Sequence, residues 1–367
     1  MKRRDFLKAS AAFAGAAATS GFSCVEFAGA APIEPPVVDK LTVNVLVDST
    51  HNLFLKPATV NRVSVTPAPR AKSYTNELHT QWGLSLFLQS EKAGQARTFM
   101  LDYGYTAEAL LNNIDIIGVD PKKIDALIVS HGHFDHYGGL IGFLDKYRGS
   151  LPADLKLYAG GEDNFCHRLV PGGAPGVFSD FGYLDRNALA ARKVGVVLCE
   201  SPTVIAGHAF TTGQIKRETD EKILPQTLEQ SGMKDGLGCD ASHYMAAELQ
   251  GKIIPDEHYH EHATCFNVKD RGLVVISSCS HRGIVNATKQ AMQVSGVQKV
   301  HAMIGGFHLG PAPTDYTKHI VSEVKELNPD VVVPMHCSGQ NFIEAMEALA
   351  PDRLLLASAG AKLNFGA

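Results

Sequence analysis

Three histidines and one aspartate fall within six residues, in the run His131-Gly132-His133-Phe134-Asp135-His136. Imidazole and carboxylate groups suit zinc and other borderline divalent metals. Four such side chains on one short loop cannot converge on a single ion without strain. They can divide between two adjacent ions, with His131 and His133 facing one way and Asp135 and His136 the other. The chemistry this implies is metal-assisted hydrolysis. The loop runs on into Tyr137-Gly138-Gly139, which permits a tight turn.

One loop cannot complete two coordination shells. Three further histidines each follow an apolar run: Val274-Val275-Ile276-Ser277-Ser278-Cys279-Ser280 leads to His281, Ala302-Met303-Ile304-Gly305-Gly306-Phe307 to His308, and Val331-Val332-Val333-Pro334-Met335 to His336. Residues 125–130 read as a buried strand that leads into the first cluster in the same way. Ligands of α/β sheets gather at the carboxyl ends of strands, so four strand ends carrying histidine point to one site. The plainer alternative for each distant histidine is a hydrogen-bonded loop residue, and it weighs most on His308.

The hydrophobic pattern supplies the elements that must position these residues. Strands are expected over 41–47, 83–89, 98–101, 125–130, 272–278, 300–304 and 331–335, with 83–89 and 98–101 as a pair. Helices are expected over 106–113, 283–294, 314–327 and 341–349. The third of these carries Tyr316, Ile320, Val324 and Leu327 on one face, with Thr314 as its N-cap. Residues 160–185 are rich in Gly, Pro, Asp and aromatics without periodicity, and read as a long loop or cap. Residues 218–262 form a second irregular region, taken as part of the mouth of the site. No short repeat is evident, and mixed β and α elements in both halves argue for a layered α/β architecture.

With those residues in view, the chain resembles the metallo-β-lactamase superfamily. His131-x-His133-x-Asp135-His136 matches its HxHxDH motif, and Phe99-Met100-Leu101-Asp102-Tyr103-Gly104 resembles its strand-ending Asp-Thr-Gly segment. Gly83-Leu84-Ser85, Cys279-Ser280-His281-Arg282-Gly283-Ile284-Val285-Asn286, Gly305-Gly306-Phe307-His308-Leu309 and His336-Cys337-Ser338-Gly339 look like a narrower branch, that of the dihydropterin–ribofuranosylaminobenzene phosphate synthase-like proteins. The resemblance spans about residues 40–360. It implies an αββα sandwich, two mixed β-sheets flanked by helices, with metals at one edge. One departure matters. Many members have a Gly-Asp pair whose carboxylate bridges the metals, where this chain has Ser278-Cys279-Ser280-His281. His281 is then expected as a terminal ligand, with the Cys279 thiolate ranked below it and His262 as a further candidate.

The resulting expectation is a metal-bound hydroxide, on one or two zinc ions with iron or manganese as alternatives, attacking an ester, lactone or phosphoester. The metal set is His131, His133, Asp135, His136, His281 and His336. Asp135 also orients the nucleophile and passes a proton to the leaving group. Asp102 is read either as fixing a ligand histidine from behind or as a turn residue. Tyr137, His308 and Arg282 are expected at the small-molecule substrate. The alternatives are pterin-type carbon–nitrogen bond formation on the same fold, an iron-dependent redox enzyme, and a non-catalytic metal or ligand binder.

The bulk of the chain is ordinary for a globular protein: 367 residues, 45% hydrophobic, 20% charged and net charge −4. Without a dense basic run, nucleic acid is not an expected partner. The first thirty residues differ. Arg3-Arg4-Asp5-Phe6-Leu7-Lys8 precedes an Ala-rich uncharged stretch and Ala28-Gly29-Ala30, which resembles a twin-arginine export signal cleaved near Ala30. Lipid attachment at Cys24 is the lesser alternative. The apolar run is too short for a permanent membrane span. A periplasmic or otherwise exported protein is expected, with the export machinery as a partner. A proline-stiffened linker is expected over 31–38 and one domain over 39–367. Export would argue against the pterin reaction, whose substrate is cytoplasmic. Six cysteines remain after Ala30, none in a CxxC pair, and sequence does not pair them.

Overall fold

A computed structural model describes residues 32–70, 73, 75–224, 227–240, 244 and 253–366. The expected export signal and Cys24 lie outside the described residues. Nine strands form the first sheet, in the order Gly195–Leu198, Lys156–Ala159, Ala126–Val129, Gln95–Leu101, Ser85–Lys92, Lys40–Val47, Lys362–Phe365, Val63–Thr66 and Ala58–Val60. The second runs Val204–Ile205, Ala209–Thr211, Thr264–Val268, Gly272–Ser277, Val300–Gly305 and Val331–Pro334. Val37–Val38, at the end of the proline-rich segment, adds to it in parallel beside Thr264–Val268.

These strands read as continuous apolar runs because both of their faces are covered. In Gln95–Leu101, Phe99 and Leu101 face the second sheet while Met100 faces helices Ala107–Ile117 and Leu140–Tyr147. In Gly272–Ser277, Val274 and Ile276 face the first sheet while Leu273 and Val275 meet helix Ile284–Ser295. Helices Thr314–Glu326 and Gln340–Leu349 complete the outer layer there. The Phe99 and Phe266 rings meet edge to face between the sheets, centroids 5.6 Å apart. No described helix is long and apolar enough to cross a membrane.

The strand pair, the buried runs and the helices stand where the pattern placed them, with ends shifted by a few residues. Three readings are corrected. Thr314 is the first helical residue, not the cap: Pro313 holds the extended N-cap conformation and makes no side-chain cap bond. Residues 160–185 are not one long loop, nor is 218–262 without order. His167–Pro171, Phe178–Asp180, Leu228–Gln230 and Ile253–Pro255 pair into a four-stranded antiparallel sheet that caps the sandwich edge. Its interior side chains include Arg168 and Glu229, both buried, so no apolar alternation marks it. The Cys166–Cys239 disulfide ties the first cap strand to the hairpin Gly232–Lys234/Leu237–Cys239.

The central strands of both sheets end at one edge. Val47, Leu101, Val129, Ser277, Gly305 and Pro334 are their last residues. His131, His133, Asp135, His136, His281, His308 and His336 each follow one of these ends.

Candidate metal centre

Several chain turns after these strands are left-handed at residues other than glycine: Asp102 (φ 58°), Ser280 (φ 58°), His308 (φ 44°) and His336 (φ 48°). Such backbone is sparsely populated and persists where surrounding contacts over-determine it. At Asp102 those contacts are hydrogen bonds. Its carboxylate accepts from Ser130 N at 2.8 Å, Ser130 Oγ at 2.7 Å and His136 Nδ1 at 2.7 Å. The proton on His136 is therefore on Nδ1, and Nε2 keeps its lone pair. Ser130 Oγ, having donated to Asp102, accepts from His131 Nδ1 at 2.9 Å. One buried carboxylate thus sets the tautomers of two histidines while also making the turn. Both readings of Asp102 describe the same residue.

His336 is held differently. Its backbone N–H donates to Asp48 at 2.7 Å, Nδ1 lies 3.0 Å from Ser49 Oγ, and Nε2 lies 3.3 Å from Asp135 Oδ2. His281 and Arg282 donate their backbone N–H groups to the Glu261 carboxylate at 2.9 and 2.6 Å. The His281 ring stacks on His258, centroids 4.1 Å apart, and packs 4.2 Å from the ring of His308. His133 Nε2 is 3.0 Å from Thr227 Oγ1 and 3.6 Å from Asp256 Oδ2. Cys279 Sγ lies 3.1 Å from His136 Nε2 and 3.3 Å from Cys337 Sγ.

The structure therefore brings His131, His133, Asp135, His136, His281, His336, Asp102 and His308 together at the sandwich edge. The ligand atoms of His131, His133 and His281 lie within 4.8 Å of one another, as do those of His131, His136 and Cys279, and those of Cys279, His336 and Cys337. His131 Nε2 and both ring nitrogens of His281 and His308 are buried without a hydrogen-bond partner among the described residues, while His336 Nε2 faces the Asp135 carboxylate. Buried polar atoms are rarely left so. Unpartnered imidazoles beside a carboxylate and thiols fit a divalent cation of the zinc type.

Charge follows the same layout. Burial, reinforced by neighbouring imidazoles, holds His131 and His281 well below the usual histidine range, so both are neutral. Burial alone would raise the Asp135 carboxyl, but His136, His336 and His133 hold it below the usual carboxylate range. Burial would lower His336, yet Cys337 and Asp135 push it up to about 10.

His133, Asp135, Cys279, His281, His308 and His336 line a cavity of about 740 Å³ whose walls include Trp82, Val170, Pro171, Phe181 and Pro311. Tyr137 and Arg282, expected at the substrate, do not line it. Tyr137 is buried and packs against Phe134. The Arg282 guanidinium donates to the carbonyls of Ile215 and Glu257 and lies over the Tyr259 ring. His262 is buried beneath the loop, with Nε2 2.9 Å from the Val129 carbonyl oxygen, and joins none of the donor groups described above.

Sequence reasoning missed the network behind His133. Arg168 is fully buried. Its Nε donates to Asp256 at 2.8 Å and Nη2 to the Asp163 carbonyl at 2.7 Å, with Glu229 Oε2 at 3.4 Å. Asp256 Oδ2 in turn lies 3.3 Å from Thr227 Oγ1. A Cβ on residue 132 would run into the Arg168 guanidinium, which is why glycine separates the two loop histidines. The only sequence signal was the run His258-Tyr259-His260-Glu261-His262, whose first two histidines also border the site.

Residues 85–162 match the family described as the Metallo-beta-lactamase superfamily. Two relatives from Methanocaldococcus jannaschii are similar over most of their length. One, named 7,8-dihydropterin-6-methyl-4-(beta-D-ribofuranosyl)-aminobenzene-5'-phosphate synthase, is 29% identical over 271 residues, 72% of this chain and 84% of the relative. The other, an uncharacterized protein, is 24% identical over 270 residues, 69% of this chain and 84% of the relative. Among solved structures, a metal-dependent hydrolase of the β-lactamase superfamily superposes with a TM-score of 0.63 at 20% identity, covering 89% of this chain and all of the other.

Proposed function

From the metallo-β-lactamase fold that this chain carries, we infer that it is a metal-dependent hydrolase of an ester or lactone with an apolar acyl part. One observation carries the reading: buried imidazole nitrogens without partners open onto an apolar-walled cavity. His131, His133 and His281 would hold one cation, and Asp135, His136 and His336 a second, zinc being the ion this donor set favours. Bound cations supply Lewis acidity and a nucleophile at neutral pH.

The chain's own groups supply the rest. Asp102, directly and through Ser130, fixes the tautomers of His136 and His131 and leaves the Nε2 of each free to bind a cation. Asp135, held ionised, can take the nucleophile's proton on Oδ2 and return it to the leaving group. Trp82, Val170 and Phe181 bind the acyl part and keep water from it. None of the described residues lining the cavity is Lys or Arg, so a phosphate would find no guanidinium or ammonium clamp. That favours an acyl substrate over a phosphoester.

A second reading rests on the synthase relative: carbon–nitrogen bond formation on a pterin, whose planar ring could stack on Trp82 or Phe181. Both readings are tested with zinc-loaded wild type and His133→Ala on esters, lactones, phosphoesters and the pterin coupling. Ester or lactone turnover that falls to background in His133→Ala supports the hydrolase. Equal rates in the two proteins would remove the metal mechanism, and coupling faster than any hydrolysis would select the synthase.

We further propose that residues 1–30 direct export by the twin-arginine route. The Cys166–Cys239 disulfide supports an oxidising compartment. An Arg3→Lys/Arg4→Lys variant should stay in the cytoplasm uncleaved, and its appearance outside as a processed chain would reject this route.

A further inference from the structure

The donor set just described is short of negative charge. Two divalent cations would bring four positive charges into a buried cavity, neutral imidazoles offset none of them, and among the direct ligands named above only Asp135 offsets one. Uncompensated charge in such surroundings is costly. The strand end at Ser277 supplies no carboxylate to the cavity: Cys279 and His281 follow it and line the wall. Two thiols stand where anionic charge is wanted. Cys279 and Cys337 both line the cavity, both are buried, and their sulfurs lie 3.3 Å apart. The Cys279, His336 and Cys337 ligand atoms lie within 4.8 Å of one another, and Asp135 Oδ2 is 3.3 Å from His336 Nε2. A Cβ on Gly306 would meet the Ser278 carbonyl oxygen first and Cys337 Sγ next, so glycine there keeps both in place. Among the described residues, the other free cysteines, Cys199 and Cys265, are buried and do not line the cavity.

We propose that Cys279 and Cys337 are paired thiolate ligands of the second cation, joining Asp135, His136 and His336, and that this position is selective for a thiophilic ion. The inference rests on the metal reading above. With two thiolates and Asp135, the ligands would offset three of the four positive charges, and the Asp102 carboxylate stands behind His136. The two positions then differ in kind. The histidine position accepts any borderline divalent ion, whereas the sulfur position takes zinc, cadmium or cobalt well ahead of manganese or magnesium.

Cobalt(II) titration of the full chain, after reduction and removal of metal, tests this without relying on activity. Thiolate coordination to cobalt gives a near-ultraviolet charge-transfer band that imidazole and carboxylate do not. Wild type should bind two equivalents and develop the band, a measurement that needs no variant. Cys337→Ser, a close steric match, should lose about half the band, and Cys279→Ser/Cys337→Ser all of it with one equivalent still bound. His131→Ala should keep the band. Two equivalents bound without the band in wild type, or an undiminished band in Cys337→Ser, would overturn the proposal and leave the hydrolase reading standing. Failure of wild type to bind any cobalt would defeat both. A Cys279–Cys337 disulfide found by mass spectrometry in alkylated, metal-loaded protein would also overturn it.

Discussion

Between the two large sheets the space is filled by Val43, Leu86, Phe99, Phe266, Ile276 and Ile304. Beneath the cap strands, Arg168, Asp256 and Glu229 are as deeply buried. Apolar burial contributes in proportion to area and is indifferent to pH. A buried charge cluster is favourable only while every partner is present, since each ion has given up its water. The cap is thus held by an interaction that fails as a unit, and the sandwich by one that degrades gradually. The same cluster reaches the metal loop through Asp256, Thr227 and His133, so the order of the cap and the orientation of a candidate ligand are linked.

The sharpest way to break this contrast is Arg168→Met. It leaves Asp256 and Glu229 buried without their cation, and we expect a loss of about 3–5 kcal/mol in chemical denaturation. Hydrogen exchange should rise first in His167–Pro171 and Leu228–Gln230. Wild-type stability in this variant would show that the cap is not held by charge.

Next in size is a pH effect. Burial, with Arg168 opposing it and Asp256 adding to it, raises the Asp163 carboxyl to about 7. The folded state therefore keeps a proton that the unfolded chain releases near 4, and Asp163 favours folding at low pH. This contribution is lost as pH rises from about 4 to about 7, at on the order of 1 kcal/mol per pH unit. Asp163→Asn should flatten that part of the stability profile. An unchanged slope would show that Asp163 is ionised in the folded protein.

On the sandwich side, Asp102→Asn removes the acceptor shared by Ser130 and His136. Zinc affinity, measured by competition with a chromophoric chelator, should fall about 10–100-fold with the fold intact. The smallest effect is expected for Thr227→Val, which removes the hydroxyl between Asp256 and His133. About 1 kcal/mol, or several-fold in the same affinity, is the expected cost. If Thr227→Val weakens zinc more than Asp102→Asn, the cap rather than the sandwich governs the loop.

The contrast also explains what could be read from sequence. Ala126–Val129, Gly272–Ser277, Val300–Gly305 and Val331–Pro334 are covered on both faces, so each appears as an apolar run that ends close before a histidine. The loop from His131 to His136 was legible because its donors are contiguous. The cap was not, because its interior is charged and its strands pair across long stretches of chain. Adjacency misled at Tyr137 and Arg282. The short helix Phe134–Tyr137 turns the tyrosine under Phe134, and the carbonyls of Ile215 and Glu257 draw the arginine away.

The left-handed residues at Asp102, Ser280, His308 and His336 bear on engineering. Each non-glycine residue held there costs about 1 kcal/mol or more. Glycine would relieve that cost and at three of these positions would delete an imidazole or carboxylate from the centre. Selection for heat resistance alone should therefore drift toward glycine at these positions and return sturdy, inert proteins. A screen that links survival to turnover would hold them in place.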